Sequence, residues 1–135
     1  MLLDTCAAIW LMNGDHMTAE SREAIAAAQV GGLVHVSPIT AWEIATLAAR
    51  GRLAPGDEPG ARGAVPRATE SARRRAGADA ADILMASATL PGAPPRDPAD
   101  CIIAATARSY RQAIVTRDGE LIPYASAGHI QAIGC

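Results

Sequence analysis

Lysine is missing from this chain of 135 residues: all twelve basic residues are arginine. A receiver-type phosphoacceptor domain and a haloacid-dehalogenase-type phosphatase each need a lysine beside their acids, so both are excluded. The phosphatase also needs an Asp-x-Asp pair after its first strand, and "LLDTCA" has one aspartate only. Phenylalanine is missing too, and two Trp and two Tyr are the only aromatics. A core therefore has to be built from Ala, Ile, Leu and Val. No apolar run approaches a membrane-spanning length, which removes a membrane reading. Three cysteines, Cys6, Cys101 and Cys135, have neither an even count nor metal-ligand spacing. Free thiols in a reducing, cytoplasmic setting are expected. There is no nucleophile-elbow motif and no phosphate-cradling glycine loop. The three histidines, His16, His35 and His129, are scattered, and His35 reads as a core residue of a buried strand. A net charge of −2 carries no bulk signal for nucleic acid.

What remains is one domain, long enough to bury a core without metal or disulfide staples. Met1 to Leu3 is a short apolar opening that ends at Asp4. "TCAAIWLMNG" suits a short helix closing near Gly14, and "TAESREAIAAAQVGG" a second helix stopped by Gly31 and Gly32. "LVHVS" (33–37) reads as a buried strand. Ser37 is then an N-cap and Pro38 a first helical residue, with the helix running to Gly51. "ADILMASA" is helix-like. Asp97 and Pro98 repeat the cap-and-proline start before "ADCIIAATARSYRQ". "AIVT" (113–116) is a strand, Arg117–Gly119 a turn, and "HIQAIG" a last strand. Strands alternating with helices predict an α/β domain with a mainly parallel sheet.

The segment 54–77, "APGDEPGARGAVPRATESARRRAG", is dominated by Gly, Pro, Arg and Ala and has no clear periodicity. It reads either as a variable, irregular surface loop or as local sequence displaced by a compensated reading-frame shift. Arg73, Arg74 and Arg75 form a charge run that suits a solvated face, with an RNA-contacting patch as the other reading.

Four acids stand out by position. Asp4 follows the first strand and Asp118 follows "AIVT". Glu43 lies about two turns into the helix after "LVHVS", and Asp100 lies in the first turn of its own helix. In open α/β sheets, chemistry gathers beyond the carboxyl ends of the strands. Taken singly, Asp4 and Asp118 also read as turn or cap residues, Glu43 as a solvated helix residue, and Asp100 as a complement to the helix dipole. Gathered together, four carboxylates repel and raise one another's pKa unless a cation neutralises them. Oxygen ligands without a His or Cys cluster suit Mg²⁺ or Mn²⁺. Such an ion serves phosphodiester hydrolysis, by activating water and stabilising phosphoryl charge.

"LLDT", "VSPITAWEIATLAARGRL", "LPGAPPRDPADCIIAATAR" and "IVTRDGELIPYA" together resemble PIN-domain ribonucleases, in particular the VapC-type toxins of bacterial toxin–antitoxin pairs. The likeness spans most of the chain apart from residues 54–80. It implies a single three-layer α/β/α PIN-like domain over 1–135, with the metal-binding and catalytic acids at Asp4, Glu43, Asp100 and Asp118. Asp100 takes that place rather than Asp97 because it immediately precedes the apolar "CIIAATA" run. Thr5, Ser37, Asp97 and Thr116 are candidates to support these acids. The resemblance further implies a Mg²⁺-dependent endoribonuclease (Mn²⁺ as the other ion) that cleaves cellular RNA. It also implies a cognate antitoxin and a homodimeric toxin. The family has another helix and a short strand in the region of residues 54–80, and no convincing strand is visible there. One sheet strand is therefore expected to be missing or malformed.

Two other readings compete. A flap-type nuclease shares the acid cluster but is normally larger. A catalytically impaired PIN-like domain would act as a protein-binding module: the retained acids argue against it, and the unusual middle segment argues for it.

Overall fold

A computed structural model describes residues 1–52 and 80–135. The expectations placed on the 54–77 segment, on Arg73–Arg75 and on a missing strand lie outside these residues. Four strands form one sheet: β1 (Leu2–Leu3), β2 (His35–Val36), β3 (Ala113–Thr116) and β4 (Gln131–Gly134). Their order is β2-β1-β3-β4 and every pairing is parallel. Leu2 faces both His35 and Ile114 in register, so β1, only two residues long, lies inside the sheet and its side chains are almost wholly buried.

Six helices are described: α1 (Thr5–Asn13), α2 (Ala19–Val30), α3 (Pro38–Ala49), α4 (Ala80–Ser87), α5 (Pro98–Tyr110) and α6 (Leu121–Ser126). They bury the two faces of the sheet. Leu3 and Val115 point to one face, where Ala7, Ala8, Ile25 and Ile44 cover them. Leu2 and Ile114 point to the other, under Ile103, Ala104, Ala107, Leu121 and Tyr124. This alternation along each strand gives the three-layer α/β/α arrangement. Alanine does much of the work that larger side chains do elsewhere, because Ala7, Ala104 and Ala105 let their helices sit close to short strands.

Strand β2 is shorter than "LVHVS" predicts. The amide of Leu33 bonds Ala28 O (2.9 Å) and that of Gly32 bonds Gln29 O (3.0 Å). Gly32 takes φ 65° between them. Leu33 thus still belongs to the closing turn of α2, a paired 6→1 and 5→2 closure that needs the left-handed glycine. It remains exposed rather than joining the sheet. The last strand likewise begins at Gln131, not at His129. Helix α6 has no counterpart in the sequence reading.

Candidate active site

Parallel pairing puts the carboxyl ends of all four strands at one end of the sheet. Asp4, Ser37, Arg117–Asp118 and Cys135 leave from that end. Asp4 is also the N-cap of α1: its Oδ1 accepts the Ala7 amide at 2.6 Å. Its Oδ2 accepts the hydroxyl hydrogen of buried Thr116. Thr116 Oγ1 in turn accepts the Asp118 amide at 2.9 Å. Asp118 caps the next turn, with Oδ1 receiving the amides of Glu120 (2.7 Å) and Leu121 (2.9 Å). Both acids are caps, as one of their two readings had it, and each spends only one oxygen on backbone amides.

Glu43 approaches from α3, and its Oε2 accepts the Thr5 hydroxyl at 2.5 Å. Asp100 enters from the first turn of α5. Asp97 is the N-cap of that helix, accepting the Ala99 amide at 2.7 Å, as its place before Pro98 predicts. Ser37 is buried and caps α3 through the Ile39 amide (3.4 Å). It makes no hydrogen bond to a carboxylate among the described residues.

Burial and neighbouring charges act on Asp4 and Asp100. Burial raises the pKa of Asp4; the Thr116 and Ala7 hydrogen bonds pull it back, and the charges of Asp118 and Glu43 raise it further. Asp100 is pushed up to about 7, first by burial and then by the charges of Asp118, Asp97, Glu43 and Asp4. Unlike the other three, Asp100 has no hydrogen bond to its carboxylate among the described residues to offset this. An open hollow beside it is lined by Asp97, Pro98, Asp118 and Glu120. The loop leading into α5 is fixed there by Arg96, whose amide and Nε reach Glu120 at 2.6 and 2.7 Å. A separate apolar cleft of about 270 Å³, bordered by Val36, Trp42, Ile83 and Leu84, holds none of the four acids.

Two residues, Cys135 and Arg117, went unread as neighbours of this end of the sheet. Cys135 arrives because Gly134 pairs with Thr116 and the Cys135 amide bonds Thr116 O (3.1 Å). Cys6 follows Asp4 into α1. Desolvation raises both thiols, Cys135 to about 11, and the Asp4 charge adds to each. Arg117 opposes that rise in both, and its guanidinium lies over Trp10, 3.8 Å from the ring centroid. The signal for Cys135 was its position one residue past a strand that pairs in parallel with β3. All three cysteines are free.

Comparison with protein-family models decides the family. The PIN domain model matches residues 1–126. The chain belongs to the PIN domain family. Neither a curated protein nor a solved structure matches it. PIN domains are typically nucleases and generally use divalent metal ions. The donor set at this PIN domain's sheet end fits such an ion in kind. Four carboxylates supply hard oxygens, while thiols with raised pKa stay protonated and are poor ligands at neutral pH. In arrangement the set is open: among the described residues, no three His, Cys, Asp or Glu side chains form a group able to hold one ion. Among the same residues, no helix is long and apolar enough to cross a membrane.

Proposed function

We propose that this PIN domain is a Mg²⁺-dependent endoribonuclease of the VapC toxin type, with Mn²⁺ able to substitute. The observation that carries the proposal is the gathering of carboxylates from four separate elements at the carboxyl end of an all-parallel sheet, where burial and then the charges of Asp118 and Glu43 raise both Asp4 and Asp100. Such repulsion is retained in a fold only where something offsets it, and a divalent cation does so directly. Asp4, Glu43, Asp100 and Asp118 would hold the ion. When bound, it supplies the Lewis acidity for water activation and for charge on the phosphodiester. The chain's own part is positioning. Thr116 orients Asp4 and ties it to the Asp118 backbone, and Thr5 orients Glu43. Asp100, raised to about 7 without metal, would give up its proton on taking the ion, so binding should release a proton near neutral pH.

Partners follow from the toxin reading: cellular RNA as substrate, a cognate antitoxin, and a second copy of the chain in a homodimer. Exposed Trp42 (62%) and Leu84 (53%) beside the apolar cleft, with Met85 exposed on the same helix as Leu84, support a protein-binding face. The deciding experiment is cleavage of RNA by the purified chain with Mg²⁺ and with chelator. Wild type should cleave only with the ion. Folded Asp4→Asn, which keeps size and one acceptor oxygen, should lose on the order of a hundredfold or more in rate. Wild-type-like cleavage by a nuclease-free preparation of Asp4→Asn would remove Asp4 from the mechanism.

The open arrangement of the acids favours one second reading, an impaired PIN domain that serves as a binding module. Calorimetric titration with Mg²⁺ and Mn²⁺ separates the two, since the module would take up neither ion.

A further inference from the structure

The acid-rich end of the sheet would repel a phosphodiester, and a single divalent ion would neutralise only part of four carboxylates. A nucleic-acid site here needs a cation supplied by the chain. Two arginines are already committed elsewhere: Arg96 to Glu120, and Arg108 to the His129 carbonyl (2.5 Å). Arg117 differs. It sits between Thr116 and Asp118, its side chain is exposed, and among the described residues it forms no ion pair. Its guanidinium is seated on the ring of Trp10, in the helix that Asp4 caps. Arg117 directly follows β3, which pairs in parallel with β1, so it stands at the same end of the sheet as Asp4.

Stacking on an aromatic face removes much of the rotamer freedom of an arginine and leaves the edge of the guanidinium plane, with its N–H groups, facing outward. That edge matches two oxygens of a phosphate. We propose that Arg117, held ready by Trp10, binds a backbone phosphate of single-stranded RNA next to the one that is cleaved. This rests on the nuclease reading above and assigns the substrate contact that the four acids cannot make. Arg117 touches the substrate; Trp10 is a positioning residue that lowers the ordering cost of that contact.

The test is fluorescence anisotropy with a labelled single-stranded oligoribonucleotide, with Ca²⁺ replacing Mg²⁺, over a range of salt concentrations. Cleavage by wild type is followed in parallel with Mg²⁺. Loss of one phosphate contact on a single strand should reduce the slope of log affinity against log salt by about 0.7. Arg117→Gln is expected to show that change, together with roughly tenfold weaker binding. Arg117→Lys keeps the charge and should keep the slope while losing affinity, because lysine lacks the planar fork. Trp10→Ala should likewise weaken binding at unchanged slope, since the charge stays and only its seat is lost. Thermal melts of all variants exclude unfolding as the cause. If wild type cleaves RNA and folded Arg117→Gln keeps both slope and affinity, the inference fails while the nuclease reading stands. A wild type that neither binds nor cleaves RNA overturns both.

Discussion

Thr116 donates its hydroxyl hydrogen to Asp4 across 112 positions of sequence. Both residues are buried, and the same hydroxyl oxygen receives the amide of Asp118. One side chain therefore satisfies two groups that would otherwise lack a partner. Thr116→Val keeps the shape and removes the hydroxyl. It is expected to destabilise the fold by about 1–3 kcal/mol, the usual cost of stranding buried polar groups. Thr116→Ser should recover most of that loss. Urea unfolding in chelator measures both, and a valine variant as stable as wild type would contradict the role given to this hydroxyl.

Without metal, stability should fall as pH rises from about 4 to about 7. The carboxyl of Asp100 has an ordinary value of 3.8 and rises to about 7 in the fold. Between these values the folded chain holds a proton that the unfolded chain has lost, so raising the pH favours unfolding. The stabilisation is complete below the lower value and gone above the higher one. Asp4 shifts in the same direction. Urea midpoints in chelator at pH 5 and pH 8 test this: the midpoint should be lower at pH 8, and Asp100→Asn should flatten the difference.

Gly92 lies in the loop that leads to Asp97 and helix α5. It has φ +73°, and a Cβ there would lie 2.3 Å from His129 Nε2. His129 cannot easily swing aside, because it stacks on Tyr124 at 4.6 Å and its carbonyl is held by Arg108. Tyr124 Oη also donates to Pro91 O (2.9 Å). Gly92→Ala should cost about 1–2 kcal/mol for the left-handed backbone and roughly 1–3 kcal/mol for overpacking. In a double-mutant cycle, His129→Ala should recover the second part and not the first. A purely additive cycle would show that the two residues do not press on each other.

Arg111 closes α5 in the left-handed region at φ 52°, where α1 ends in a glycine. The Gln112 amide bonds Ala107 O and the Arg111 amide bonds Arg108 O, the same closure seen after α2. Arg111→Gly should therefore raise stability by about 1 kcal/mol, read as a higher melting temperature. A lower one would show that the arginine side chain contributes more than its backbone costs.

The starts of helices were the most legible part of the fold, for a local reason. Thr18, Ser37 and Asp97 each accept an amide two or three residues ahead, and proline at the first helical position adds no long-range requirement. Strand length was less legible. Leu33 and Val34 are apolar, but the glycine turn before them commits Leu33 to α2 before it can reach the sheet. Helix α6 escaped notice because its start depends on Asp118 capping across a turn and because Pro123 lies inside it. For the acids, residue type and place after a strand were readable. Their repulsion was expected from their number, but not that Asp100 would be raised to about 7, since that depends on its burial and on how closely α5 approaches β3. The seat of Arg117 on Trp10 is likewise a tertiary fact without a local signature.

Central β1 pairs with β2 some thirty residues downstream, yet its other neighbour, β3, begins only at Ala113. A chain leaving the ribosome thus carries Asp4 and Glu43 through most of its synthesis without Thr116 or Asp118. The crowded carboxylates meet only when the late strand docks, and that docking also supplies the apolar burial of Ile114 and Val115 that offsets their repulsion. Synthesis of β3 is in this sense the first control on that end of the sheet: a nascent fragment ending before it has three of the four acids but only the β1–β2 pair of the sheet that brings them together.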